Sequence, residues 1–293
     1  LEGGRGLVAA ILASLGVVLL ASFMPDNLDQ LNNEERKLAF RSVIFFYSGV
    51  TLATAALTWF VIPSVKHIGD SARALFRNAV TVLGRPLVWA QAGVIICAYC
   101  GYKGFDNYSL YAVQVLGMNE VDGAKVTAYA TYVRPVAAIA AGLIADRWAA
   151  GKTVGACFVL LVISYSVLAV SMPVGAGLSI IYGNLFVSVA AVFMLRGVYF
   201  ALLEENQVPP YLTGAVAGAV SFIGFTPEIF FGPITGRILD ANPGPVGHQH
   251  YFLFLAVVAT IGVAVVVWLL RLQHQNTASL WTDAVEASRQ STR

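Results

Sequence analysis

Charge is what this sequence has least of. Only 12% of its 293 residues are Asp, Glu, Lys or Arg, against about a quarter in a soluble globular domain. So little charge cannot cover a surface that faces water all round. The charges present are clustered, which leaves long stretches almost free of them. Alternation of apolar and polar residues is also missing, which excludes a transmembrane barrel. In hydrocarbon every backbone amide must be satisfied internally, so the apolar runs are helices. No glycine-rich phosphate cradle is present, and nothing points to a nucleotide as energy source. A net charge of +2 without a basic stretch interleaved with aromatics gives no nucleic acid a place to bind. The three cysteines form no disulfide framework. Cys97 and Cys100 make a C-x-x-C, but it lies inside an apolar run with no second ligand pair, so both read as small buried residues. Of the four histidines, His67 falls in a linker, His248 and His250 in a loop and His274 in a tail. His248-Gln249-His250 lacks further ligands and reads as a solvated loop. No metal and no cofactor is implied. With the histidines outside the apolar runs and no H-x-x-x-H cluster, a membrane-embedded enzyme is disfavoured.

What the sequence has is hydrophobicity, 58% of the chain, in runs long enough to span a bilayer. A hydrocarbon core about 30 Å thick takes roughly 20 apolar residues in a helix. Eight such segments can be placed, at about residues 7–24, 40–62, 86–113, 125–145, 153–172, 177–203, 212–238 and 251–270. Pro25-Asp26-Asn27, Pro63 and Pro173-Val174-Gly175 end three of them. The expected fold is therefore all-α and integral to the membrane. The chain starts at Leu1 rather than Met, with no signal peptide in view, and upstream helices are expected. The spans divide the chain into residues 1–63, with two helices, a linker at 64–85, a six-helix unit at 86–271 and a tail at 272–293. Small residues at four-residue spacing open the first span and recur at Thr213 to Ala219, where they favour close helix packing.

Loop charges give the orientation, because Lys and Arg stay on the cytoplasmic side. Lys66, Arg73, Arg77, Arg85, Arg147, Lys152 and Arg271 fall in one alternate set of loops. Asp26, Asp29, Glu34, Glu35, Glu120 and Asp122 fall mainly in the other. The first set is expected in the cytoplasm.

Between the fourth and fifth spans the text reads A-G-L-I-A-D-R-W-A-A-G-K, Ala141 to Lys152. It resembles the loop signature of the major facilitator superfamily, G-x-x-x-D-R-x-G-R-[RK]. Gly142, Asp146 and Arg147 match in order and spacing, while Gly151 and Lys152 match in type but sit two residues late. With the central basic linker and six following spans, the resemblance covers nearly the whole chain. It implies a bundle equivalent to helices five to twelve of a twelve-helix secondary transporter in the plasma or inner membrane. It also implies alternating access, in which two helical bundles rock about a midplane site. Gly142, Asp146 and Arg147 would then act as a conformational latch, Asp146 meeting a helix N-terminus or a cation.

An ionisable residue at membrane depth costs at least about 2.5–3.5 kcal/mol on insertion scales and is usually paired or functional. Lys103 and Asp106 sit three apart in the third span and share a helix face, among Tyr99, Tyr102, Tyr108 and Tyr111. They line a polar cavity or neutralise each other. Arg134 lies in the middle of the fourth span before Pro135, and its planar fork suits a carboxylate or phosphate. Glu228 follows Pro227 in the seventh span. Desolvation favours the uncharged form of a carboxylate, so Glu228 is a candidate proton carrier alongside Asp106, or else a partner of Arg134 or Lys103. Arg196, Glu204 and Glu205 fall toward the cytoplasmic end of the sixth span and are expected to gate.

The expected function is secondary transport of a small polar solute, an organic anion contacted by Lys103, Arg134, Tyr99, Tyr102 and Asp106. The expected coupling ion is H+. The bilayer and the solute are the expected partners. A membrane-embedded enzyme and a non-transporting receptor or scaffold on the same fold are the rival readings. The topology is open to direct test. A cysteine placed at Arg77 should stay unlabelled when intact cells meet an impermeant thiol reagent, and labelling there would invert the assigned orientation.

Overall fold

The computed structural model describes residues 2–23, 33–62, 72–171, 177–206 and 208–274. Pro25-Asp26-Asn27, Asp29, Pro63, Lys66, His67, Pro173-Val174-Gly175 and the tail from residue 275 lie outside the described residues, as do the side chains of Glu35 and Arg73. No strand occurs among the described residues. The helices are α1 (Glu2–Phe23), α2 (Asn33–Val61), α3 (Ala72–Leu83), α4 (Pro86–Phe105), α5 (Tyr108–Gln114), α6 (Glu120–Thr131), α7 (Val133–Trp148), α8 (Ala150–Val170), α9 (Gly177–Val198), α10 (Leu202–Glu205), α11 (Pro210–Gly224), α12 (Pro227–Ala241) and α13 (Pro245–His274).

Among the described residues, seven stretches are long and apolar enough to cross a membrane. The pair Arg77–Leu83 and Pro86–Gln114, bent by 80°, brings the number to eight. Each coincides with an expected span. Proline sets several starts. Pro86, Pro210 and Pro227 occupy first-turn positions, where the missing N–H costs nothing. Arg85 before Pro86 is extended, as a residue preceding proline prefers.

Two of the expected spans are broken. The third stops at Phe105, turns through Asp106 and Asn107, and resumes as α5. The seventh breaks at Phe225 and Thr226 between α11 and α12. The fourth also turns, at Tyr132, so that Pro135 falls in the first turn of α7. The linker is not all loop either, since α3 occupies 72–83 and packs against α11 and the start of α4. Trp89 Nε1 donates to Leu83 O at 2.7 Å and closes the corner between α3 and α4.

The core lies between α4, α8, α9 and α13, with Ile95, Phe158, Leu161, Tyr165, Phe193 and Phe252 fully buried there. Polar groups stitch these helices together where packing alone is weak in lipid. Asn184 donates to Ser164 O at 2.7 Å, and Ser164 returns a bond to Asn184 O. The Tyr108 and Ser188 hydroxyls meet at 2.7 Å. The α1–α2 pair packs on α6 and α7 through α1, leaving α2 largely bare. Trp59, Phe60 and Phe222 project outward, an apolar exterior that suits a bilayer.

One correction concerns histidine. His248 is not in a solvated loop. It lies in the first turns of α13, buried, with Nε2 2.9 Å from Gln114 Oε1 and its ring edge-on to Tyr111. α13 begins six residues before the expected span because Pro245 can start a helix. His250 is exposed, as is His274.

A tight helix approach in the core is at Gly262 of α13, where an added Cβ would lie 2.5 Å from the Phe158 ring of α8. Overpacking of this kind costs about 1–3 kcal/mol. Gly262→Val should therefore lower the thermal midpoint of the detergent-purified protein by several degrees. Gly236→Ala, with nothing within 4 Å of the new methyl, should not lower it.

Candidate functional site: a charged cluster between two broken helices

The breaks in α4–α5 and α11–α12 bring together residues far apart in sequence. Lys103, in the last turn of α4, holds Asp106 across the break, Nζ to Oδ2 2.7 Å. The same ammonium reaches Glu228, in the first turn of α12, Nζ to Oε1 3.5 Å. The Tyr99 hydroxyl, one helical turn before Lys103, donates to the other oxygen of Glu228 at 2.7 Å. The expected neutralisation of Lys103 by Asp106 and the expected partnership of Lys103 with Glu228 thus form one network.

The α4 break is held from the core side. Tyr251 of α13 donates to Gly104 O at 2.7 Å, and Asn107 Nδ2 donates to the Tyr251 hydroxyl at 3.2 Å. An added Cβ on Gly104 would lie 2.9 Å from Leu255, so α13 seats against bare backbone here. Glu228 departs from expectation in one respect. Its side chain is 59% exposed, so the chain itself does not desolvate it. The break puts it on the edge of α12 beside α4, away from the α8–α13 core.

Arg196 also belongs to this neighbourhood rather than with Glu204 and Glu205. Its guanidinium carbon sits 3.9 Å from the centre of the Tyr102 ring and 5.9 Å from that of Tyr99. Arg134 sits on α7, against other helices. It is buried between α1 and α9, its stem where a Gly6 Cβ would stand and its head 5.9 Å over Phe193.

A second polar network closes the linker end of the bundle. Glu205 in α10 accepts from the backbone N–H of Ala150 and, at 2.9 Å, from that of Gly151, so a carboxylate caps the start of α8. A negative group at a helix N-terminus meets both free donors and the favourable end of the dipole. Asn206 bridges Gln91 of α4, at 2.9 Å, and Gln273 of α13, at 2.7 Å. Neither Glu205's capping role nor the Gln91–Asn206–Gln273 chain was anticipated. The one signal available was Gln91, an amide set in an otherwise apolar run. Glu204 is exposed. Asp146 and Arg147 are exposed at the end of α7 and make no ion pair among the described residues. An added Cβ on Gly142 would meet nothing within 4 Å.

No protein-family model matches the sequence. The chain is 26% identical, over 92% of its length, to inner membrane protein YihN of Escherichia coli K12. It is 24% identical, over 95% of its length, to inner membrane protein YqcE of the same organism. It spans 64% and 65% of the lengths of those two proteins. Its helices also resemble the crystal structure of a bacterial homologue of the human lysosomal transporter Spinster, solved inward-facing and unoccupied. The TM-score is 0.54 at 15% identity, over 94% of this chain and 66% of that one.

The turn between α7 and α8 accounts for the imperfect signature seen in the sequence. Ala149 stands two residues after Arg147, where the signature has its second glycine. Its backbone lies at φ 81°, ψ 143°, and it is the one described non-glycine residue with positive φ. That region suits glycine and costs another residue on the order of 1–3 kcal/mol. The loop keeps the glycine geometry without the glycine, held by Glu205 on the next two amides. Ala149→Gly should relieve the strain and raise stability by about 1 kcal/mol, the remainder being offset by glycine's greater freedom in the unfolded chain. A thermal midpoint unchanged or lowered in the glycine variant would contradict this.

Proposed function

We propose that this chain, whose helices have the fold of the major facilitator superfamily, carries the part of an inner-membrane secondary transporter equivalent to helices five to twelve. The chain crosses the membrane several times. Its solute is a small polar organic anion, moved by alternating access and coupled to H+. The observation that carries this reading is the cluster of Lys103, Asp106, Glu228 and Tyr99. It occupies two helix breaks within apolar spans. Discontinuous helices with polar groups at the break are how transporters build a site within the membrane. Charges held there at a cost to insertion are characteristic of ion and solute paths.

The coupling role falls to Glu228. One ammonium is shared by two carboxylates, so the trio carries one negative charge in excess. A proton on Glu228 removes that excess and weakens the hold of Lys103 on α12. The Tyr99 hydroxyl remains able to bond either form of the carboxyl. Asp106, at 2.7 Å and in the same turn as Lys103, keeps the ammonium in place. In the latch role, Gly142, Asp146 and Arg147 act at the end of α7, with Glu205 securing the adjoining start of α8.

Glu228→Gln imitates the protonated state. In liposomes containing the full-length protein it should abolish proton-driven accumulation of solute while leaving solute exchange across the membrane intact. Undiminished accumulation by the variant would remove Glu228 from the coupling role and leave it as a structural partner of Lys103.

A further inference from the structure

We infer that Arg196, laid on the ring of Tyr102, is the residue that receives the negative group of the solute, and that this group is an oxyanion such as a carboxylate, sulfonate or phosphate. The inference rests on the transport reading above for its context and names the substrate class of that same site. Arg196 stands in the last turn of α9 with only 9% of its surface exposed. Its Nε and Nη1 are buried and have no hydrogen-bond acceptor among the described residues.

The other charges of the cluster are engaged elsewhere. Asp106 and Glu228 are both held by Lys103, and Glu228 is held again by Tyr99. Arg196 faces the flat sides of Tyr102 and Tyr99 rather than a carboxylate. An aromatic face attracts a guanidinium but does not accept its N–H groups in the way an oxygen does. A buried cation whose donors are unmet is expensive, and a position that keeps one has a use for an acceptor that comes and goes. The guanidinium fork selects two oxygens on one centre, which sets the chemical class.

The position is also well fixed. The next residue, Gly197, lies so close to α7 that an added Cβ would be 3.1 Å from Ala138 Cα. Tyr99 supplies the link to coupling, since its ring centre lies 5.9 Å from the Arg196 guanidinium while its hydroxyl binds Glu228. Arg196, Lys103, Asp106 and Glu228 together carry two charges of each sign. Loading a monoanion adds one negative charge, and a proton on Glu228 restores the balance.

Two measurements on the full-length purified protein test this without any flux. First, Arg196→Met replaces an unmet cation with an apolar chain of similar length. It should raise the thermal midpoint of the ligand-free protein, whereas a fall would show that Arg196 is a structural partner and overturn the assignment. Second, sodium gluconate, sodium sulfate and sodium phosphate serve as oxyanion probes, with glucitol and sodium chloride as controls. At least one oxyanion should stabilise the wild type beyond the controls. Arg196→Lys should weaken that probe by at least about tenfold, the loss expected for a charged bidentate contact. No oxyanion shift in the wild type, or an equal shift in Arg196→Lys, would overturn the proposal. A shift that depends on Arg196 in a protein that moves no solute in liposomes would instead leave the anion site standing and remove the transport reading.

Discussion

One ammonium group, that of Lys103, ties together two helices that have each been interrupted in the middle of an apolar span. Hydrocarbon makes such interruptions costly, because backbone groups freed at a break have no water to turn to. Here the freed groups are met from inside the bundle. Tyr251 and Asn107 serve the break after α4, and Thr226 bonds back to Ile223 O at the break before α12. With the backbone satisfied, the side chains that remain, Asp106 and Glu228, face the same ammonium. The cluster is thus a consequence of where the helices stop, and at the α4 stop α13 packs against bare Gly104.

Much of the architecture was legible in the sequence because the bilayer simplifies the code. An apolar run either reaches the required length or does not, and all eight expected segments are helical. Breaks were harder. Asp106 and Asn107 are residue types that favour turns, yet in so long an apolar span they did not fix where a break would fall. The turn is imposed from outside by Tyr251, which lies 147 residues from Gly104 in sequence. Lys103 with Asp106 could be read from spacing, since three residues apart is one helix face. The approach of Glu228 could be stated only as an alternative, because it depends on how α12 lies beside α4. Arg196 was read from its place late in an apolar run; that its guanidinium lies on the Tyr102 ring depends on how α9 sits beside α4, which the run itself does not show. His248 shows the reverse case, where a polar triplet looked like loop and a proline drew it into a helix.

Two polar networks divide the bundle's length between them. The linker end is closed by Glu205 on α8 and by Gln91, Asn206 and Gln273 across α4, α10 and α13. The members of that set are mostly neutral amides in short, well-formed bonds. The central cluster is charged and partly exposed, Glu228 above all. The physical difference suits different duties. Neutral amide pairs do not change with pH or with a passing ion and hold helices in one arrangement. A charged trio with one carboxylate in excess can be altered by a single proton.

Within that trio the three contacts are unequal, and the inequality decides which one can move. Lys103 and Asp106 are neighbours on the same stretch of chain, so their 2.7 Å contact survives any rigid shift of α12. The contact to Glu228 is longer, 3.5 Å, and crosses from α4 to α12. It is the weaker of the two by distance, and it is the one a shift of α12 against α4 would break. The hydroxyl of Tyr99 is the firmer tie at 2.7 Å, and Tyr99 is also the ring shared with Arg196. A displacement of α12 that keeps the Tyr99 bond acts on the farther of the two rings beside Arg196, whose guanidinium lies 5.9 Å from Tyr99 and rests 3.9 Å from Tyr102.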